Sequence, residues 1–433
     1  MISRFLTGGA AVALTAFIGS DSLIDSAHSL TIATYCVGPR QCAALCHARV
    51  ELGSTPQDFI ERAAYELGAP DFKETPPANL TAPPLVDPNN VYSETTADKL
   101  SPATAGALSR VYAPNLITGK VDVIDPATFK VVDSFAAIPS PQHIVPSWDL
   151  QTLWVAGDLS YSGGHASVAP IDPKTGKMGK PIDVPDAYNM YFTPDGRSAI
   201  VVAESLRRLE FRDPHTMALQ GYIAVPRCDG VNHADFAPDG AYAIFTCEYD
   251  DSLAKIDLVH HALAGMLQLS PGHMPQDIRV APDGLAYFVA DLAKDGLVVV
   301  DGDQFKEIGF IPTGVGAHGL YPSRDGKRLY VSNRGTHRLD GMKLGEGSVS
   351  VLDFATRRVV GTWTIPGGGS PDMGNVSADG KWLWLSGRFD GVVYAFDTDD
   401  GSVQTIEVGG MPHGLAVWPQ PGRYSLGHTG NMR

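Results

Sequence analysis

Asp-Gly pairs stand at Asp195, Asp239, Asp283, Asp325 and Asp379, so the pair recurs at intervals of 44, 44, 42 and 54 residues. A unit of that size cannot bury a core alone, and a chain made of such units must stack them. Each pair is followed by a β-rich run: "AIVVAES", "AIFTCEY", "AYFVADL", "LYVSNRG" and "LWLSGRF". "TLWVAGD", after Asp149, opens the same series one unit earlier. Short apolar runs bounded by turn residues read as strands. A second series interleaves with the first. Asp125, Asp172, Asp213, Asp257, Asp301, Asp353 and Asp397 each follow a strand and precede a turn, which makes seven hairpins. A period in the forties with four strands per unit predicts an all-β fold, a seven-bladed β-propeller.

The ends of the series show how the ring closes. The first unit begins on "RVYAPN", a second strand, and the last ends on "MPHGLAVWPQPG", an inner strand without the rest of its blade. The C-terminal strand is therefore expected to complete the N-terminal blade and remove the open edge. The expected organisation is a signal peptide over 1–28, a Cys-containing arm and Pro-rich linker over 29–108, the propeller over 109–419, and a tail over 420–433.

The start, "MISRFLTGGAAVALTAFIGSDS", places Arg4 before an apolar run short for a transmembrane span, the layout of an export signal, with an uncleaved membrane anchor as the alternative. No later stretch could cross a membrane, and a periplasmic or secreted location is expected. The net charge of −15, without any Lys/Arg block, excludes a nucleic-acid partner held by its phosphates. Among five cysteines, "CAALCH" (Cys42 to His47) has one residue more in its spacer than a haem c attachment, and a local disulfide among Cys36, Cys42 and Cys46 is the expectation. Cys228 and Cys247 flank one inner hairpin, where a disulfide is favoured over a thiolate ligand. "TPQDFIERAAYELGA" reads as a short helix capped by Thr55.

"SRDGKRLYVSNRGTH" followed by "GSVSVLDFATRRVVGTWTI" resembles the YVTN-repeat β-propeller family, over about 325 residues. The resemblance implies the seven-bladed fold and leaves the activity open.

Inner strands of a propeller line a central channel, and their starts meet at one mouth. Seven residues ahead of each Asp-Gly, or its equivalent, stand Gln142, Tyr188, Asn232, Gln276, His318, Asp372 and His413. The next positions hold His143, Asn189, His233, Asp277, Gly319, Met373 and Gly414. Alternation along a strand puts His143 and His233 out of phase with His318 and His413, so all four converge only if the strand starts twist or bulge. At the ends of the second strands stand Asp158, Glu204, Glu248 and Asp291 from four consecutive blades, then Arg334 and Arg388 from the next two. These six, with Asn189, are the candidate ligand-binding residues. His143, His233, His318, His413, Asp277 and Asp372 are the candidate metal ligands: imidazole suits copper, zinc or iron, and carboxylate oxygens suit calcium or magnesium. Such a ring of histidines resembles the copper propellers of nitrous oxide reductase and thiocyanate dehydrogenase. It has fewer histidines than those sites, which favours a single ion.

The expectation is an exported propeller that binds a metal ion or small ligand at its mouth, with a metal-dependent oxidoreductase as the enzymatic reading. The repeats are also similar to streptogramin lyase, which implies a metal-assisted lyase with a histidine base, and a non-catalytic binding or scaffold propeller is the third reading. No G-x-S-x-G, H-E-x-x-H or phosphate-binding loop occurs. The tail "WPQPGRYSLGHTGNMR" either extends into solvent or folds back, adding His428 and the arginines Arg423 and Arg433 near the mouth of the closing blade.

Overall fold

Alternating apolar runs and Asp-containing turns fold into seven four-stranded antiparallel sheets arranged as the blades of a propeller. The computed structural model describes residues 82–158 and 166–433, together with the strands Leu14–Ala16 and Ile32–Thr34, which pair antiparallel within a separate unit, Met1–Leu67. Most of the expected export signal, Cys36, Cys42, Cys46 and the helix expected from Thr55 lie outside the described residues. The inner strands of blades 2 to 7 are Pro141–Pro146, Asn189–Phe192, Val231–Phe236, Pro275–Val280, Ala317–Pro322 and Pro371–Val376. Blade 1 takes its inner strand, Ala416–Trp418, from the other end of the chain, and this strand pairs with Arg110–Asn115.

The recurring Asp-Gly pairs are turn chemistry. Gly196, Gly240, Gly284, Gly326 and Gly380 all have φ between 67° and 80°, a region open to glycine without a Cβ penalty. The hairpin aspartates act likewise: Asp125 and Asp172 accept backbone N–H bonds from residues two further on, at 2.9 and 2.8 Å. Between neighbouring blades the sheets bury their apolar faces, with Tyr191, Phe236, Phe245, Phe288 and Trp384 among the large side chains fully enclosed.

The inner strands carry the feature on which the site depends. In blades 2, 4, 5, 6 and 7 the register with the second strand slips within the first residues: Pro141/His143, Val231/Ala234, Pro275/Ile278, Ala317/Leu320 and Pro371/Gly374. Each slip is a β-bulge, in which one extra residue re-aims the side chains beside it. A bulge leaves a backbone N–H without a ladder partner, and a hydroxyl on the second strand accepts it. His233 N–H donates to Thr246 at 3.0 Å, Gly319 N–H to Ser332 at 2.8 Å, and Met373 N–H to Ser386 at 3.2 Å.

The far end of the channel is covered. Residues 84–108 run across it, with the Tyr92 hydroxyl donating to the Val280 carbonyl at 2.6 Å and Val91 N–H donating to Pro282. The C-terminal tail folds back as a small hairpin, Ser425–Gly427 with Asn431–Met432, joined by a turn at His428–Gly430. Arg433 anchors it inside the base, bonding Asp235 at 3.0 Å and the carbonyls of Phe236 and Ala237 at 2.7 and 3.2 Å.

Candidate functional site at the channel mouth

The bulges bring the out-of-phase histidines together. His143, His233, His318 and His413 form a closed square, with ring centroids 5.4, 6.2, 5.8 and 4.8 Å apart in turn. The tail adds a fifth imidazole: His428 lies 4.6 Å from His233 and 5.2 Å from His143. All five are buried, at 1% exposure or less. The fold makes room for them with glycine, since a Cβ on Gly414 would overlap the His143 ring and one on Gly427 would overlap Tyr191, on which His428 stacks.

Burial, followed by the neighbouring imidazoles, holds His143 and His233 well below the usual histidine range; for His428 the second cause is the Arg279 charge. Burial and then Arg334 take His318 down to about 4, and His413 falls to about 3. The cluster is therefore neutral at pH 7, the form in which a ring nitrogen keeps its lone pair. Both ring nitrogens of His143 and of His428, and Nε2 of His233 and of His413, are buried with no hydrogen-bond partner.

The carboxylates flank the cluster in two ways. Asp372 lies 2.5 Å from Nδ1 of His413 and 2.9 Å from Nδ1 of His318, and accepts from Arg334 Nε at 2.7 Å. Burial opposes its charge, yet Arg334 and the two imidazoles outweigh burial and hold it well below the usual carboxylate range. Its place is behind the two rings. Asp277 approaches from the base end and comes within 4.8 Å of His233 and His428, ligand atom to ligand atom. Its oxygens already accept from Arg279, Ile278 N–H and Leu320 N–H, and burial pushes it up to about 6 against the pull of Arg279. Asn189 bonds its own neighbour Met190 N–H through Oδ1 and meets His233 Nδ1 at 3.2 Å, so it orients that ring.

Beside the cluster opens a cavity of about 200 Å³, lined by Gln142, Tyr188, Gln276 and His318, by Asp158, Glu204 and Glu248, and by Arg334 and Arg388. Asp291 is the exception among the candidates expected there. It is the last residue of its strand, whereas Glu248, Arg334 and Arg388 come one residue after theirs. One step along a strand turns a side chain to the opposite face. Asp291 accordingly meets His273 Nδ1 at 2.5 Å and caps the N–H groups of Met274 and Lys294, and Leu292 stands at the equivalent of the mouth position. Cys228 and Cys247 form a disulfide beside this rim.

A family model described as a YNCE-like beta-propeller matches residues 84–421, a span that takes in all seven blades. The chain belongs to that family. Solved structures similar to this YNCE-like propeller include the periplasmic gluconolactonase PpgL of Pseudomonas aeruginosa, at 20% identity over 72% of this chain and 99% of that one, TM-score 0.58. Another is the dihydro-heme d1 dehydrogenase NirN, at 15% identity over 82% of this chain and 84% of that one, TM-score 0.51. At these identities the likeness concerns the fold. No curated protein matches the chain.

The sequence reading left open whether the tail folds back and adds His428, because a tail with no period and few apolar residues carries no signal of where it docks; the structure takes the folded-back alternative. It also left the phase of the histidines open, although the hydroxyls of Thr246, Ser332 and Ser386, at one shared position of the second strands, mark where bulges need a partner.

Proposed function

We propose that this YNCE-like propeller is an exported metal-dependent oxidoreductase, with one transition-metal ion held among the channel imidazoles beside the mouth cavity. One observation carries the reading: six ring nitrogens from four histidines of the cluster are buried without a hydrogen-bond partner, and His233 and His428 bring ligand atoms within 4.8 Å of Asp277. Each unsatisfied buried polar group costs about 1–3 kcal/mol. Six of them together rival the whole stability of a typical domain, about 5–15 kcal/mol. A trapped water cluster would relieve part of that cost. It would not account for a carboxylate placed behind two of the rings at Nδ1, the arrangement that orients histidine ligands and raises their basicity.

The residues present fit such an ion. His233, His428 and Asp277, whose ligand atoms lie within 4.8 Å of one another, would hold it, with His143, His413 and His318 at the margin and Asp372 positioning His318 and His413 from behind. A donor set dominated by imidazole favours copper, zinc or iron over calcium or magnesium, which prefer oxygen. A redox-active ion there would supply electron transfer that the side chains of this chain do not. The chain's own contributions are binding and proton handling. Arg334 and Arg388 offer cationic donors to an anionic group. Burial, then Glu248 and Asp158, raise Glu204 well above the usual carboxylate range, which suits it to exchanging a proton with a bound group.

Elemental analysis of the purified full chain tests this, beside His233→Ala and His428→Ala variants. About one equivalent of copper, zinc or iron in the parent protein, lost in both variants while they still melt cooperatively, is expected. A parent protein that stays metal-free after incubation with each ion would overturn the reading.

A further inference from the structure

We propose that the mouth cavity binds a small zwitterion of amino-acid size, its ammonium against Asp158, Glu204 and Glu248 and its carboxylate against Arg334 and Arg388. The inference names a ligand class for the site of the proposed function, and the binding itself needs no metal.

The order of the blades makes the cavity bipolar. Blades 2, 3 and 4 supply the three carboxylates, and blades 6 and 7 supply the two guanidinium groups across the ring. Blade 5, between them, turns its aspartate away to His273. On the acidic side Glu204 feels both Glu248 and Asp158, and like charges held together at low dielectric are relieved by a cation or by protons. Asn232 donates to Glu248 at 2.8 Å, which fixes that carboxylate and leaves its own Oδ1 buried without a partner. Gln142, 2% exposed and lining the cavity, also has a buried Oε1 with no partner. This wall thus carries three carboxylates and the unpartnered Gln142 oxygen, and an ammonium with three N–H donors answers it.

The opposite wall is made of donors. Arg334 and Arg388 share one aromatic face, each 5.9 Å from the centre of the Phe389 ring. Arg334 directs Nε to Asp372, and its other guanidinium nitrogens make no further hydrogen bond among the described residues. Both guanidinium groups line the cavity and can take a carboxylate from the ligand. Size sets the remaining limit. About 200 Å³ of cavity suits a molecule of the size of alanine or valine. Tyr249 and Leu339, both exposed on the rim, leave an apolar edge for a short side chain.

Calorimetric titration of the full chain with L-alanine, propionate and ethylamine separates the two walls, because each of the last two lacks one charged group. The metal content of every sample is measured alongside, before and after chelator treatment. Alanine is expected to bind at least about tenfold more tightly than either partial ligand. Glu204→Gln should weaken alanine and ethylamine and leave propionate unchanged, and Arg388→Lys should weaken alanine and propionate and leave ethylamine unchanged. Selective alanine binding by metal-free protein upholds this inference even where the metal reading has failed. Equal affinity for alanine and a partial ligand, or no alanine binding in metal-loaded and metal-free samples at about 10 mM, overturns it.

Discussion

The bulge hydroxyls and the glycines facing the rings decide how the imidazoles stand. Ser332 accepts from Gly319 N–H at 2.8 Å and donates to the Asp372 carbonyl at 2.7 Å, so it ties the bulge of blade 6 to the strand that carries Asp372. Ser332→Ala leaves two buried backbone groups without that partner and is expected to cost about 1–3 kcal/mol in chemical denaturation. Gly414→Ala forces a methyl group into the His143 ring. Its expected signature is lost metal uptake with a lowered melting temperature. Gly309→Ala, where a Cβ meets nothing within 4 Å, should fall within about 0.5 kcal/mol of the parent. At this scale the sequence was partly legible. The mouth positions of Glu204, Glu248, Arg334 and Arg388 follow from counting along the repeats. Asp291 shows the limit of counting, since one residue of offset reverses a strand side chain.

Among elements, the blades were legible and the tail was not. A blade repeats, and its turns carry Asp-Gly where the backbone needs positive φ; the tail occurs once, and its place is set by tertiary contacts that leave no local trace. Those contacts are dense. Tyr424, Leu426 and Met432 are each 4% exposed, and Asn375 donates to the Thr429 carbonyl at 2.6 Å. A chain ending at Pro421 loses the burial of three apolar side chains at roughly 1.5–3 kcal/mol each, and about 3–6 kcal/mol of stability should be missing in denaturant titration after partial repacking. It also loses His428, so metal retention should fall with it.

For the whole molecule, five buried neutral histidines make stability a function of pH. Their folded pKa values are depressed while the unfolded value is about 6.5, so below that pH the unfolded chain binds more protons. Metal-free protein is expected to keep its full stability above about pH 6.5 and to lose it steadily towards pH 4, where His318 titrates. Denaturant midpoints taken from pH 7.5 to 4.5 check the sign: a flat profile would show that the imidazoles are not buried together. Closure of the ring has a consequence for the birth of the protein. Blade 1 waits for Ala416–Trp418, and the cluster waits for His413 and His428, all of them made after the other six blades. No chain that stops short of His428 can present the complete set of imidazoles, so the proposed ion site can form only after the ring has closed.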